Sequence, residues 1–356
     1  MTIIRGHRWQ RMVRSVRGLL GHEPQTIGVD VGSCLMKTVV LQAGRSGVLL
    51  QEFSIQPLVE TSFQDEQLDC GFVEAIRKNM TVPMQTVGMA VSGPSVFIKS
   101  LILPVMTEGD LREHLSLELD RYMALDVQDV FWDVYLRKSV HEATAEQQEY
   151  FLVVAKKEYV ERRVDVFHRC GVTVRFVDVD AFALINVVTH NYGNEGSWLL
   201  THIGPSGILM VIIVEGEPAY IRKVSYEMEW YGDLLDQVLM PQPLLESKKK
   251  LGVSETLLLE RFSQEVREHI AQTLESFSDI STKVIDGGIL LSGGYAGVPD
   301  MVSQLSNFFE MPVNLVNPFK RIAVPQTIQQ DPDFQQTASL MSVAVGVALR
   351  GVVADD

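Results

Sequence analysis

Ile27-Gly28-Val29-Asp30-Val31-Gly32-Ser33-Cys34-Leu35-Met36-Lys37-Thr38-Val39-Val40-Leu41 reads as strand, tight turn, strand. Ile27, Val29 and Val31 alternate, and an apolar run resumes at Val39. Between them stand Asp30, Gly32 and Ser33, with Lys37 four residues further on. A Gly-Ser bend leaves backbone N–H groups unshielded by a Cβ, a concavity that suits a phosphate. Asp30 is suited to a hydrated magnesium ion, and Lys37 to a phosphate as a point charge. A plain β-hairpin with a glycine turn fits the same residues.

A second stretch adds weight: Ile289-Leu290-Leu291-Ser292-Gly293-Gly294-Tyr295-Ala296-Gly297-Val298-Pro299. An apolar strand runs into two glycines, and a helix start with proline near its first turn is expected next. A base or ribose can lie against such a bend because the backbone can approach it closely. Two glycine bends, one near each end of the chain, suggest a cleft between two halves.

With the tail Ala344-Val345-Gly346-Val347-Ala348-Leu349-Arg350-Gly351, these stretches resemble the actin-like ATPase superfamily, and within it the PilM family of type IV pilus assembly proteins. Lys99-Ser100-Leu101-Ile102-Leu103-Pro104, followed by an acidic helix and Tyr122-Met123, resembles that family's inserted subdomain. Asn314-Leu315-Val316-Asn317-Pro318-Phe319 resembles its late strand and Asn-Pro-Phe turn. The resemblance spans roughly residues 25–351.

It implies an α/β, actin-like (ribonuclease H-like) two-lobed fold with a small inserted α+β subdomain. The expected division is a basic extension at 1–24, a first lobe from 25–94 and 175–195, and the insert at 95–174. A second lobe at 196–335 and a C-terminal helix at 336–356, returning to the first lobe, complete it. ATP with Mg2+ is the implied cofactor. Its implied contacts are Asp30, Gly32, Ser33, Lys37, Gly204, Glu246, Lys249, Gly293, Gly294 and Tyr295, with Asp30 also at the metal. Glu246 and Lys249 resemble a helix that approaches the ribose; the run Lys248-Lys249-Lys250 also fits a solvated face. Asp178 or Asp180 would stand near the attacking water, and a helix cap explains either as well.

The chain departs from the superfamily pattern in its second phosphate loop. Where an Asp before Ile-Gly normally supports magnesium, Ser197-Trp198-Leu199-Leu200-Thr201-His202-Ile203-Gly204-Pro205 carries His202. A neutral imidazole does not replace a carboxylate for a hard cation. Pro205 removes an N–H that could meet phosphate. Arg222 is followed by Lys223-Val224-Ser225 and no diglycine. No catalytic residue is assigned, and at most a weak ATPase is expected.

The implied role is a cytoplasmic scaffold, peripheral at the inner membrane, in the pilus assembly platform. It would receive the N-terminal cytoplasmic peptide of a PilN-like membrane protein beside the insert, and meet other platform proteins. Peptides dock as an added strand or along an apolar groove. A type II secretion platform component is an alternative, although such a domain usually continues into a membrane span and none follows before Asp356. An actin-like kinase or ATPase is another, but it needs a carboxylate base that the second loop does not offer. A filament-forming protein of the division type is a further reading.

Bulk properties agree. With 356 residues, 46% hydrophobic and 21% charged, the chain can bury two cores. A net charge of −14 argues against a nucleic-acid binder. Cys34, Cys70 and Cys170 are widely spaced, which suggests neither a zinc site nor a disulfide framework and points to a reducing compartment. The longest apolar run, Ile208 to Val214, is seven residues against the roughly 20 of a membrane span. No signal peptide is read, because Arg5, Arg8, Arg11, Arg14 and Arg17 interleave with Trp9, Met12, Val13, Val16, Leu19 and Leu20. Against Glu23 these arginines give residues 1–24 a charge of +4, so the remainder carries −18. A basic amphipathic helix on an anionic membrane fits this segment, as does a tail or a helix packed on the acidic body.

Within the lobes, periodicity predicts a strand at 48–55, a helix at 70–80 and a strand at 87–91. The insert reads βαββα, with Thr107 capping an acidic helix whose Leu111, Leu115 and Leu119 share a face. A polar loop is expected at 138–149. Ser254 is expected to cap a long helix with Leu258, Phe262, Val266, Ile270, Leu274 and Phe277 inward. A helix through Met301, Leu305 and Phe308, a polar segment at 326–337 and a last helix from Ala338 to Leu349 close the chain.

Overall fold

A computed structural model describes residues 25–32, 35–44, 47–58, 71–123, 125–137, 146–205, 207–225, 253–278 and 285–352. Residues 1–24, Ser33, Glu246 and Lys249 lie outside the described residues, so the readings made there have no structural counterpart.

The chain opens as an antiparallel meander, β1 (Gln25–Val31), β2 (Leu35–Gly44) and β3 (Gly47–Pro57). Helix α1 (Gly71–Asn79) leads to β4 (Thr86–Val91), which lies parallel to β1. The β-branched content of β1 and β4 suits central strands, and both are buried along almost their full length.

The insert follows: β5 (Val96–Pro104), α2 (Glu108–Tyr122), β6 (Val130–Leu136), β7 (Gln147–Lys156) and α3 (Lys157–Arg169). Its sheet order is β5-β7-β6. The order βαββα is the expected one, although β7 starts within the span read as loop. Thr107 caps α2 by accepting from the Asp110 N–H at 3.2 Å, and Leu111, Leu115 and Leu119 are buried against the sheet.

Strand β8 (Thr173–Val179) completes a first sheet of order β3-β2-β1-β4-β8 and runs into α4 (Asp180–Tyr192). Neither Asp178 nor Asp180 caps α4 as the capping reading expected. Val179 holds the cap position, and each carboxylate accepts from the N–H of the residue after it.

A second meander, β9 (Ser197–Gly204), β10 (Gly207–Val214) and β11 (Glu217–Val224), is followed by α5 (Val253–Ser278). Helix α5 starts one residue ahead of Ser254, which places that residue inside the helix and not at its cap. The expected stripe is inward, with Phe262, Val266 and Ile270 fully buried. Strand β12 (Gly288–Ser292), α6 (Met301–Phe309) and β13 (Val313–Leu315) complete a second sheet of order β11-β10-β9-β12-β13. A 3-10 turn over Gly294–Gly297 precedes α6, so Pro299 lies ahead of the helix. Met301 and Leu305 are buried, but Phe308 points outward at 54% exposure beneath the Arg267 guanidinium.

The polar segment at 326–337 holds two short helices, α7 (Gln326–Gln329) and α8 (Pro332–Thr337). Pro332 at the first turn and the Asp331 cap account for α8. After a 3-10 turn over Ala338–Met341, α9 (Ser342–Val352) packs on β1 and α4. A Cβ on Gly346 would lie 1.8 Å from the Ala183 carbonyl oxygen, and one on Gly28 would lie 2.2 Å from that of Ala344. Only bare backbone allows this approach.

One core spans the first sheet, one face of the insert's sheet, and Leu200, Leu209, Val211, Ile213 and Leu290 of the second sheet. A separate core joins the other face of the second sheet to α5 and α6. Among the described residues no helix is long and apolar enough to cross a membrane. Cys170 is disulfide-bonded, where the cysteine spacing suggested no disulfide framework; Cys34 and Cys70 lie outside the described residues.

Candidate functional site

The register of the first hairpin places Asp30 directly opposite Lys37. Their side chains meet, Lys37 Nζ donating to Asp30 Oδ2 at 2.8 Å, and both are largely buried. The Gly32 N–H donates to the Leu35 carbonyl at 3.0 Å, so it closes the turn and does not point outward. Gly32 serves as a spacer: a Cβ there would lie 3.0 Å from that carbonyl and 3.4 Å from Lys37 Nζ.

At the end of β9, His202 stands opposite Ser292 of β12, and its Nδ1 lies 3.2 Å from Ser292 Oγ. Burial pushes the imidazole below its ordinary value. Asp180 and Asp30 oppose that shift; Lys37 and Lys223 reinforce it. Four charged groups, from β1, β2, the start of α4 and β11, thus act on the end of β9. Gly204 closes the strand opposite Gly207.

The late diglycine bend lies against the same strand. Gly293 has φ +96°, and a Cβ on it would lie 2.2 Å from the Ile203 carbonyl oxygen. A Cβ on Gly294 would meet nothing within 4 Å, so the bend presents open space at that residue. The late bend therefore lies against the end of β9, where His202 also feels the charges of Asp30 and Lys37 from the early hairpin. Tyr295 does not join them: it is buried in the second-lobe core, edge-on to Phe262 at 6.2 Å.

The junction at β8 and α4 separates its two acids. Asp178 is buried in an ion pair with Arg350 of α9 at 3.1 Å, and Arg350 also lies over the Phe176 ring. Asp180 faces the cleft, 3.7 Å from Lys223 Nζ. Lys223 also donates to the Gly93 carbonyl at 2.8 Å. Tyr159 of α3 donates to the neighbouring Ser92 carbonyl at 2.6 Å, with Arg163 stacked on its ring. Burial raises the Tyr159 phenol, so it stays a neutral donor at pH 7.

Sequence reasoning missed Lys223, Gly93 and Tyr159. Strand alternation could have found the first. Arg222 is committed to α5, bonding the His269 carbonyl, Thr273 and Gln272, so its neighbour must face the other way.

The cleft offers two ammonium groups, two carboxylates and a neutral imidazole around glycine bends. That set fits a phosphate-bearing ligand. It fits a hydrated magnesium ion poorly: Asp30 is engaged by Lys37, Asp180 by Lys223, and His202 offers nitrogen where such an ion takes oxygen. Among the described residues no group of three or more His, Cys, Asp or Glu side chains could hold a metal ion.

A family model described as type IV pilus assembly protein PilM matches residues 28–352. Among solved structures, a chain of a PilM–PilN type IV pilus biogenesis complex is 18% identical, with a TM-score of 0.72. That match covers 92% of this chain and 98% of the other. The ethanolamine utilization protein EutJ from Carboxydothermus hydrogenoformans is 11% identical over 96% of this chain and 98% of its own, with a TM-score of 0.47. With a family match over nearly the whole length, and an actin-like architecture built around the cleft, the chain belongs to the PilM family of type IV pilus assembly proteins.

Proposed function

We propose that this protein is a cytoplasmic, actin-like scaffold of the type IV pilus inner-membrane assembly platform, and that it captures the N-terminal cytoplasmic peptide of a PilN-like membrane partner. The units it uses are the first lobe at 25–94 and 175–195, the insert at 95–174, the second lobe at 196–335 and the returning helix at 336–356.

The observation that carries this reading is β5. Among the described residues it is an edge strand of the insert's sheet, paired with β7 alone. Ile98 and Ile102 lie on one face by alternation. At Ile98 that face packs on the first-lobe core; at Ile102 it overhangs, 67% exposed. An apolar residue on an open edge receives an extended peptide as an added strand with a side-chain anchor. The acidic face of α2 contributes less, since Glu108 pairs with Arg112 and Glu118 with Arg121.

Nucleotide in the cleft biases lobe closure and hence partner affinity, a coupling free energy and not turnover. Lys223 and the bond between Tyr135 and Glu217 already bridge the second lobe to the first lobe and the insert. Hydrolysis is inefficient because His202 stands where the resemblance expects the carboxylate that supports magnesium. Titration of the partner's N-terminal peptide should give saturable binding that Ile102→Asp weakens by about tenfold or more, the scale of a lost apolar anchor. Equal affinity for the variant would place the peptide elsewhere.

A further inference from the structure

Lys223 has no role in any motif read from the sequence, yet its ammonium group reaches across the cleft. It starts on β11 of the second sheet and bonds the Gly93 carbonyl at 2.8 Å, with Asp180 Oδ2 at 3.7 Å. Its side chain remains 27% exposed and Lys37 remains 15% exposed, so both border open space. An ammonium has three donors. Lys37 uses one on Asp30 and Lys223 one on Gly93, which leaves each able to hold a further anion without abandoning its carboxylate.

We propose that Lys37 and Lys223 together form the phosphate seat of the cleft, and that a nucleoside triphosphate binds there with no divalent cation between protein and phosphate. This rests on the nucleotide part of the function proposed above. The two lysines are the cations that face His202, and they come from opposite sides of the cleft. A third cation of charge +2 placed between them would be repelled by both. The Asp30 carboxylate it would use already has one oxygen in an ion pair with Lys37. A phosphate meets the opposite situation, since each ammonium attracts it and the Gly294 bend leaves it room. The imidazole of His202, kept neutral by burial, neither repels the phosphate nor supplies the oxygen that magnesium needs.

The test is calorimetric titration of the full chain with ATP, once in millimolar magnesium and once in excess EDTA. Affinities within about twofold of each other are expected. Lys223→Met should then weaken ATP binding in EDTA by about tenfold or more, the effect of losing one charge-assisted hydrogen bond. Lys223→Arg, which keeps the charge, should bind within a fewfold of wild type. Binding seen only with magnesium would overturn the inference while leaving the nucleotide in the proposed function. Absence of binding under both conditions would overturn the inference and remove nucleotide from that function, with peptide capture still judged by its own titration. The comparison with and without EDTA uses the unmodified protein, so a misfolded variant cannot decide the outcome.

Discussion

At the scale of single residues, buried imidazoles give the molecule a pH dependence. His202 is pushed down by burial, with Lys37 and Lys223 adding to the shift. His190 is pushed down by burial and then by the Arg321 guanidinium, and its Nε2 has no hydrogen-bond partner among the described residues. Below about pH 6.5, the ordinary imidazole value, the unfolded chain binds more protons than the folded one, so stability falls as pH falls through that range. The melting temperature should therefore drop between about pH 7.5 and about pH 5.5, and the pair His190→Asn and His202→Asn should flatten that drop. An equal drop in the double variant would assign the effect to other groups. Asp30, Lys37, Gly293 and Gly294 were legible because a short turn between apolar strands fixes their neighbours. Lys223 was not, because its partners Gly93 and Asp180 lie 130 and 43 positions away along the chain.

At the scale of elements, α9 shows what small residues do. Gly346 rests on the Ala183 carbonyl and Gly28 beneath α9, so two helices and a strand touch backbone to backbone. Gly346→Ala must push α9 off α4, at a cost of about 1–3 kcal/mol or more, read as a lower urea midpoint. An unchanged midpoint would mean that α9 does not hold the hinge as tightly as described. Sequence periodicity found α2, α3, α5, the strands of the first sheet and β12, because each buries one face at a regular interval, whereas β11 was not read as a strand and β13 came only from the family resemblance. It missed α7 and α8, whose Gln-rich turns bury only Phe334 and Thr337 and so carry no apolar period.

For the whole molecule, the late glycine bend and the charges of the early hairpin meet at the end of β9, and the insert touches both lobes through Tyr159 and Tyr135. The two glycine bends suggested a cleft from local patterning, but not the tyrosines through which the insert touches both lobes. The charge division between residues 1–24, at +4, and the rest of the chain, at −18, bears on where the molecule sits. We propose that this segment adds weak contact with an anionic membrane, on the order of 1 kcal/mol per arginine near the surface. Removing residues 2–24 should lower co-sedimentation with anionic vesicles, most at low salt; unchanged sedimentation would refute that contact.

The central claim is that the insert's open edge receives the membrane partner. Amide hydrogen exchange of the full chain, with and without the partner's N-terminal peptide, tests it most directly. The account predicts new protection along residues 96–105. Protection confined to other surfaces, such as the outer face of α6 and β13, or none at saturating peptide, would contradict it.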